Sequence, residues 1–163
     1  SWAHAIVRHA GADVALLLSG DGPVARHVRF FAHTTGFDPD LHLPERALSL
    51  DAALAASDVA LLPATRPAGI ARLAASMAAG LAVIATDLPA AAWARHEGNA
   101  LLVPPDEPRA TAAALLRLLD DADLRARLAA AGRHTAAEHF DPAVCRRRLH
   151  AIYDACAAAA PTR

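Results

Sequence analysis

Residues 66–87 read Arg66-Pro-Ala-Gly-Ile-Ala-Arg72-Leu-Ala-Ala-Ser-Met-Ala-Ala-Gly80-Leu-Ala-Val-Ile-Ala-Thr-Asp87. A turn at Arg66 leads into a helix that starts at about Pro67 or Ala68 and runs to Ala79. Gly80 ends it, because a glycine past the last turn takes the left-handed conformation without a Cβ penalty. Val83-Ile84-Ala85 follows directly and is apolar at every position, as a strand covered on both faces must be. Turn, helix and buried strand in this order form one unit of a parallel sheet with crossover helices.

The same alternation extends in both directions. Upstream, residues 3–9 read as the end of a helix stopped by Gly11, and Val14-Ala15-Leu16-Leu17-Leu18 as a buried strand. Gly20-Asp21-Gly22-Pro23 punctuates it, and Pro23 suits the first turn of a helix reaching Thr35, with Gly36 as its stop. Leu41-His42-Leu43 is a short strand ending at Pro44. Ser49 caps a helix over 50–56, with Asp51 near its positive end. Val59-Ala60-Leu61-Leu62 is the next strand, closed by Pro63, and Leu101-Leu102-Val103 the last. Beyond Pro104-Pro105 the pattern is wholly helical, over 109–119, 122–131 and 142–158. Breaks are expected at Asp120-Asp121, Gly132 and Phe140-Asp141-Pro142, and fraying in the Ala-rich end. The predicted fold class is α/β, a Rossmann-like parallel sheet with flanking helices and a helical C-terminal tail.

At 163 residues the chain is expected to be a single domain, 1–163. Apolar residues make up 55% and aromatics only 4%, so the core is built from small aliphatic side chains. All basic residues are Arg. The net charge of −1 provides no global field for nucleic acid or an anionic membrane, and Arg146-Arg147-Arg148 reads as a solvated helix face. On one helix, Cys145 and Cys156 lie about 16 Å apart, beyond the reach of a disulfide. This suits a reducing compartment. No apolar run approaches the ~20 residues of a membrane span. The expectation is a cytoplasmic chain without membrane insertion or nucleic-acid partner, peripheral membrane association being left open. The nine histidines show no metal-ligand spacing, since His4/His9 and His134/His139 are not at i, i+4.

Five segments resemble blocks of the retaining group 1 glycosyltransferases of GT-B fold, in the family's order. They are residues 14–23; Leu54 to Pro63; Ser76 to Asp87; Glu97 to Asp106, with Gly98-Asn99 followed by Leu101-Leu102-Val103-Pro104-Pro105; and Arg125 to Phe140. The resemblance implies the C-terminal, donor-binding domain of such an enzyme, holding a nucleotide-sugar at the C-terminal ends of its strands. The partners implied are that donor and an N-terminal acceptor-binding domain of the same protein. No metal or other cofactor is implied. A diphosphate is held by unpaired N–H groups at a helix start, a role that falls on Ala68, Gly69 and Ile70. Arg66 and Arg72 add guanidinium charge, and Gly20, Asp21 and Gly22 close the site from another strand end. Thr86 and Asp87, at a further strand end, read as caps of the next helix.

The sequence departs from the family in two places. The motif's two glutamates, one at the sugar and one on the ribose hydroxyls, correspond to Pro67 and Ala75, so no catalytic residue is assigned. Ser76 points about 100° away from Ala75 and is no substitute. The family's first strand, central in the order 3-2-1-4-5-6, has no counterpart, because residue 1 already falls in the helix after it. The chain is therefore expected to be a piece of a longer protein that does not turn over alone. An alternative reading is a degenerate, non-catalytic glycosyltransferase-like binding or assembly module.

Overall fold

β4 (Ala82–Thr86) is the centre of the molecule, buried at every residue. Its side chains alternate between two apolar clusters, as a pleated strand requires. Ala82 and Ile84 join Leu101, Val103, Leu115, Leu118, Leu124 and Leu128 on one face, while Val83 and Ala85 join Ala60, Leu73, Met77 and Ala136 on the other. The unbroken apolar run thus has its physical reason: both sides of the strand face protein.

The computed structural model describes residues 2–18, 23–36, 38–44, 48–64, 70–88 and 92–158. In chain order the elements are α1 (Trp2–His9), β1 (Leu16–Leu17), α2 (Pro23–Thr35), a 3-10 turn (Asp38–Asp40), β2 (Leu41–His42), α3 (Leu50–Ala55), β3 (Val59–Leu62), α4 (Ile70–Ala78), β4, β5 (Leu101–Val103), α5 (Pro108–Asp120), α6 (Ala122–His139) and α7 (Pro142–Ala158). Gly11, Gly36 and Gly80 all have positive φ, so the three expected helix stops are present. Ser49 Oγ accepts from the Ala52 N–H at 3.2 Å and caps α3. The Ala-rich end beyond 158 lies outside the described residues.

All pairings of the named strands are parallel and form two ladders, β1–β2 and β3–β4–β5. That is what an order 3-2-1-4-5-6 leaves when its first strand is removed. The β3–β4–β5 ladder backs onto an apolar cluster that takes Val59 and Leu61 from β3 and also Val14 from ahead of β1. Of the apolar run 14–18, Leu16 and Leu17 pair with Leu41 and His42 and the Leu18 N–H donates to the His42 carbonyl at 3.0 Å, a strand shorter than expected.

Gly132 is a correction. It lies inside α6, which runs through it to His139. The glycine serves tertiary contact: a Cβ there would stand 3.3 Å from Met77 Cγ and 3.5 Å from the Asn99 carbonyl oxygen. α6 crosses from one cluster, through Leu124 and Leu128, to the other, through Ala136, and the glycine permits that close crossing. At its start Asp121 Oδ1 accepts from the Leu124 N–H at 2.8 Å. α7 is capped likewise by Asp141, and carries Cys145 and Cys156 as exposed free thiols.

Candidate functional site

Parallel strands end together, so the C-terminal ends of β3, β4 and β5 form a common rim. β3 passes into Pro63-Ala64, β4 into Asp87 and β5 into Pro104-Pro105-Asp106. Two bonds tie the rim. The Ala64 N–H donates to Thr86 Oγ1 at 2.9 Å, and the Asp87 N–H donates to the Val103 carbonyl at 2.8 Å. Thr86 therefore binds the chain after β3, and no helix lies between Asp87 and Ala100 among the described residues. Residues 89–91, where a helix capped by Thr86 or Asp87 would begin, lie outside the described residues. Asp87 and Asp106 are exposed, and Asp106 has φ 55°, a left-handed turn immediately before α5.

α4 starts beside this rim. Its first residue, Ile70, is exposed, as is Arg72 one turn-half later, and Arg72 makes no ion pair among the described residues. Of the expected site residues these two are visible. Gly20, Asp21, Gly22, Arg66, Ala68 and Gly69 lie outside the described residues, as does Pro67. Ala75, the second glutamate position, lines a groove of about 330 Å³ between α4 and α6 with Ala74, Ala78, Ala136, Phe140 and Asp141. Ser76 is 1% exposed and turned into the core, so it offers that groove no hydroxyl.

The sequence reading gave no role to a second set of polar residues, which holds the segment leading into β5. Asn99 is 0% exposed and fully bonded. Its Oδ1 accepts from the Arg95 N–H at 2.7 Å, and its Nδ2 donates to the Trp93 carbonyl at 3.0 Å and to Thr135 Oγ1 at 2.9 Å. Thr135 in turn donates to the Ala131 carbonyl. Trp93 stacks on His139, ring centroids 4.1 Å apart, with Phe140 edge-on. Glu97, in a left-handed backbone conformation, pairs with Arg117, which holds its carboxyl below the usual range. The Glu97 carbonyl accepts from Arg127. The signal for this anchor was the dipeptide Gly98-Asn99, but its partner Thr135 is 36 residues away.

No group of three or more His, Cys, Asp or Glu side chains suited to a metal ion occurs among the described residues. None of the described helices is long and apolar enough to cross a membrane.

No curated protein matches the chain. Solved structures do. Sucrose-phosphate synthase from Thermosynechococcus elongatus superposes with a TM-score of 0.82 at 21% identity, over 97% of this chain and 42% of that one. Anabaena HepE in complex with UDP and glucose gives 0.83 at 18% identity, over 94% and 44%. The C-terminal domain of a glycosyl transferase group 1 family protein from Francisella tularensis gives 0.79 at 19%, over 86% and 77%. The chain thus spans less than half the length of the first two proteins, and at these identities the likeness establishes the Rossmann-like GT-B fold. A family model, glycosyl transferases group 1, matches residues 2–121. By that match the chain belongs to the group 1 glycosyl transferases.

Proposed function

We propose that the chain is the donor-side domain of a longer glycosyltransferase, and that the rim of β3–β5 with the start of α4 holds the diphosphate of a nucleotide-sugar. The observation that carries this reading is the placement of α4. Its first described residue, Ile70, follows the end of β3 by eight positions, and Arg72 is exposed and makes no ion pair among the described residues. Backbone N–H groups at a helix start and a guanidinium suit a phosphate whose charge grows as the sugar leaves. Arg66, Ala68, Gly69 and Ile70 belong to the same proposed site, as do Gly20, Asp21 and Gly22. The UDP bound in HepE supports a nucleoside diphosphate as ligand.

Transfer in this fold needs a second domain across a cleft. Two features support such a partner: the relatives' greater length and the outer face of α7, where Leu149, Ile152 and Tyr153 share one exposed stripe. Calorimetric titration with UDP, GDP and ADP is the test. Saturable binding in the millimolar range or tighter, weakened roughly tenfold by Arg72→Ala, is expected, as for loss of one charge-assisted bond. No heat with any of the three nucleotides refutes the donor site.

The second reading, a non-catalytic module, is favoured by Ala75, which places a methyl group where the family has a carboxylate, in a groove also lined by Arg133 and Asp141. Pro67→Glu with Ala75→Glu separates the two. An increase in the full-length protein's transfer activity supports degeneracy, and an already active parent left unchanged refutes it.

A further inference from the structure

β5 is the terminal strand of the β3–β4–β5 ladder, and among the described residues no strand pairs with its outer edge. Successive residues of a parallel strand turn their backbone groups to opposite sides. Val103 faces β4, since its carbonyl accepts from the Asp87 N–H, so Leu102 faces outward. Its N–H is not left to water. It donates to Nδ1 of the His96 ring at 3.0 Å.

The ring is delivered there by a fixed turn. The Arg95 carbonyl accepts from the N–H groups of Gly98, Asn99 and Ala100, and the Arg95 N–H donates to the buried Asn99 side chain. His96 itself is exposed, so protons reach it from solvent. The charged groups around it are Arg95 and Glu97 on its own turn, Arg117 of α5, paired with Glu97, and Arg127 of α6, bound to the Glu97 carbonyl. β5 contributes no titratable group.

A ring nitrogen accepts a hydrogen bond only while it carries no proton, and the imidazolium has N–H at both positions. The backbone N–H of Leu102 can only donate, so the bond requires the neutral ring with its proton on Nε2. Protonation sets two N–H groups against each other and breaks it. We propose that His96 is a proton-released latch on the outer edge of the sheet. The neutral ring closes the edge at Leu102, and protonation within the histidine range, about pH 8 to 5, opens it while the Asn99 anchor stays in place. The open edge carries a free N–H on the strand that leads into the Pro104-Pro105-Asp106 rim. The latch uses no residue of the proposed donor site, so the two proposals fail separately.

Amide hydrogen exchange of the whole chain, followed by NMR at pH 8 and pH 5 and corrected for intrinsic chemistry, is the test. Protection of the Leu102 amide should fall roughly tenfold in acid, as for one net hydrogen bond lost. Protection of the Asp87 amide, bonded to Val103 on the inner side, should hold. His96→Phe keeps a ring without an acceptor, so Leu102 should exchange fast at both pH values. His96→Asn supplies an oxygen that does not titrate, so Leu102 should stay protected at both. Equal Leu102 protection at pH 8 and pH 5 in the parent, or a parent-like profile in His96→Phe, overturns the proposal. So does a parallel loss at Leu102 and Asp87, which would mean that acid opens the sheet as a whole.

Discussion

Replacing Asn99 by Ala tests whether the anchor of the 93–100 segment is a principal polar support of the fold. The change removes three hydrogen bonds, two of 2.7 and 2.9 Å and one of 3.0 Å, from a fully buried side chain. Each is worth about 1 kcal/mol net, and an orphaned buried partner costs about 1–3 kcal/mol. Thr135 keeps its bond to Ala131 and the Trp93 carbonyl lies near the surface, so the lower end applies. The expected loss is about 3 kcal/mol, or about 6–12 °C in Tm for a chain of this size. Urea denaturation measures it, with m unchanged if the denatured state is unaffected. Thr135→Val should cost about 1–2 kcal/mol, and the double mutant should fall short of additivity by about 1 kcal/mol, since both changes delete one shared bond. Asn99→Asp retains the acceptor for Arg95 but buries a carboxylate, so its cost should be greater at neutral pH than in acid. A loss below about 1 kcal/mol for Asn99→Ala, or strict additivity with Thr135→Val, refutes the reasoning.

Other outcomes follow from single residues. Gly80 has φ 76°, and a Cβ there would overlap the Arg133 guanidinium, so Gly80→Ala should cost about 1–2 kcal/mol by melting, mainly for the left-handed backbone. Arg133→Ala in that background should recover the steric part and leave the left-handed backbone cost. Asp106→Gly relieves a φ of 55° at an exposed turn and should raise stability by about 0.5–1 kcal/mol, read as a higher urea midpoint. Burial keeps the pKa of His4 below the ordinary histidine value of about 6.5, against opposing pulls from its bond to the Val14 carbonyl and from Asp40. Its contribution is fully present above that value and is lost as pH falls through the lowered pKa. A His4→Phe variant should accordingly show a shallower decline in stability from pH 7 to 5. Without a glutamate at position 75, UDP and 2′-deoxy-UDP should bind within about threefold of each other. A preference above about tenfold would reveal another residue reading the ribose.

The layout of strands was legible because β4 and β3 carry their own signature. An all-apolar run bounded by Gly80 or Pro63 has few folded solutions besides a strand covered on both sides. Gly36 and Gly80 were legible for a local reason too, since a helix stop acts within one turn. Gly132 had the same local appearance and the opposite role. What decides it is the approach of Met77 and Asn99, 55 and 33 residues away in sequence, and no local pattern encodes that. The bond of Thr86 is non-local likewise: its hydroxyl accepts from the Ala64 N–H, 22 residues upstream, which the Thr-Asp pair alone does not signal. At the candidate site, α4 and its exposed Arg72 were anticipated, whereas the Asn99–Thr135 anchor depends on α6 returning across the sheet.

The glutamate positions and the frame differ in what maintains them. Leu73, Met77, Val83 and Ala85 are held by mutual burial, and truncating Leu73 or Met77 to Ala would leave a cavity costing about 2–5 kcal/mol. A carboxylate at position 75 contributes nothing to that packing, since Ala75 lines an open groove. Its loss is therefore almost free for the fold. The N–H groups at the start of a helix are equally independent of side-chain identity, because every residue but proline supplies one. A domain of this kind can lose its side-chain reading of sugar and ribose while the backbone elements that attract a diphosphate stay in place. In the proposed donor site phosphate affinity and sugar selectivity are thus separable, and nucleotide binding measured alone would speak to the first and not to the second.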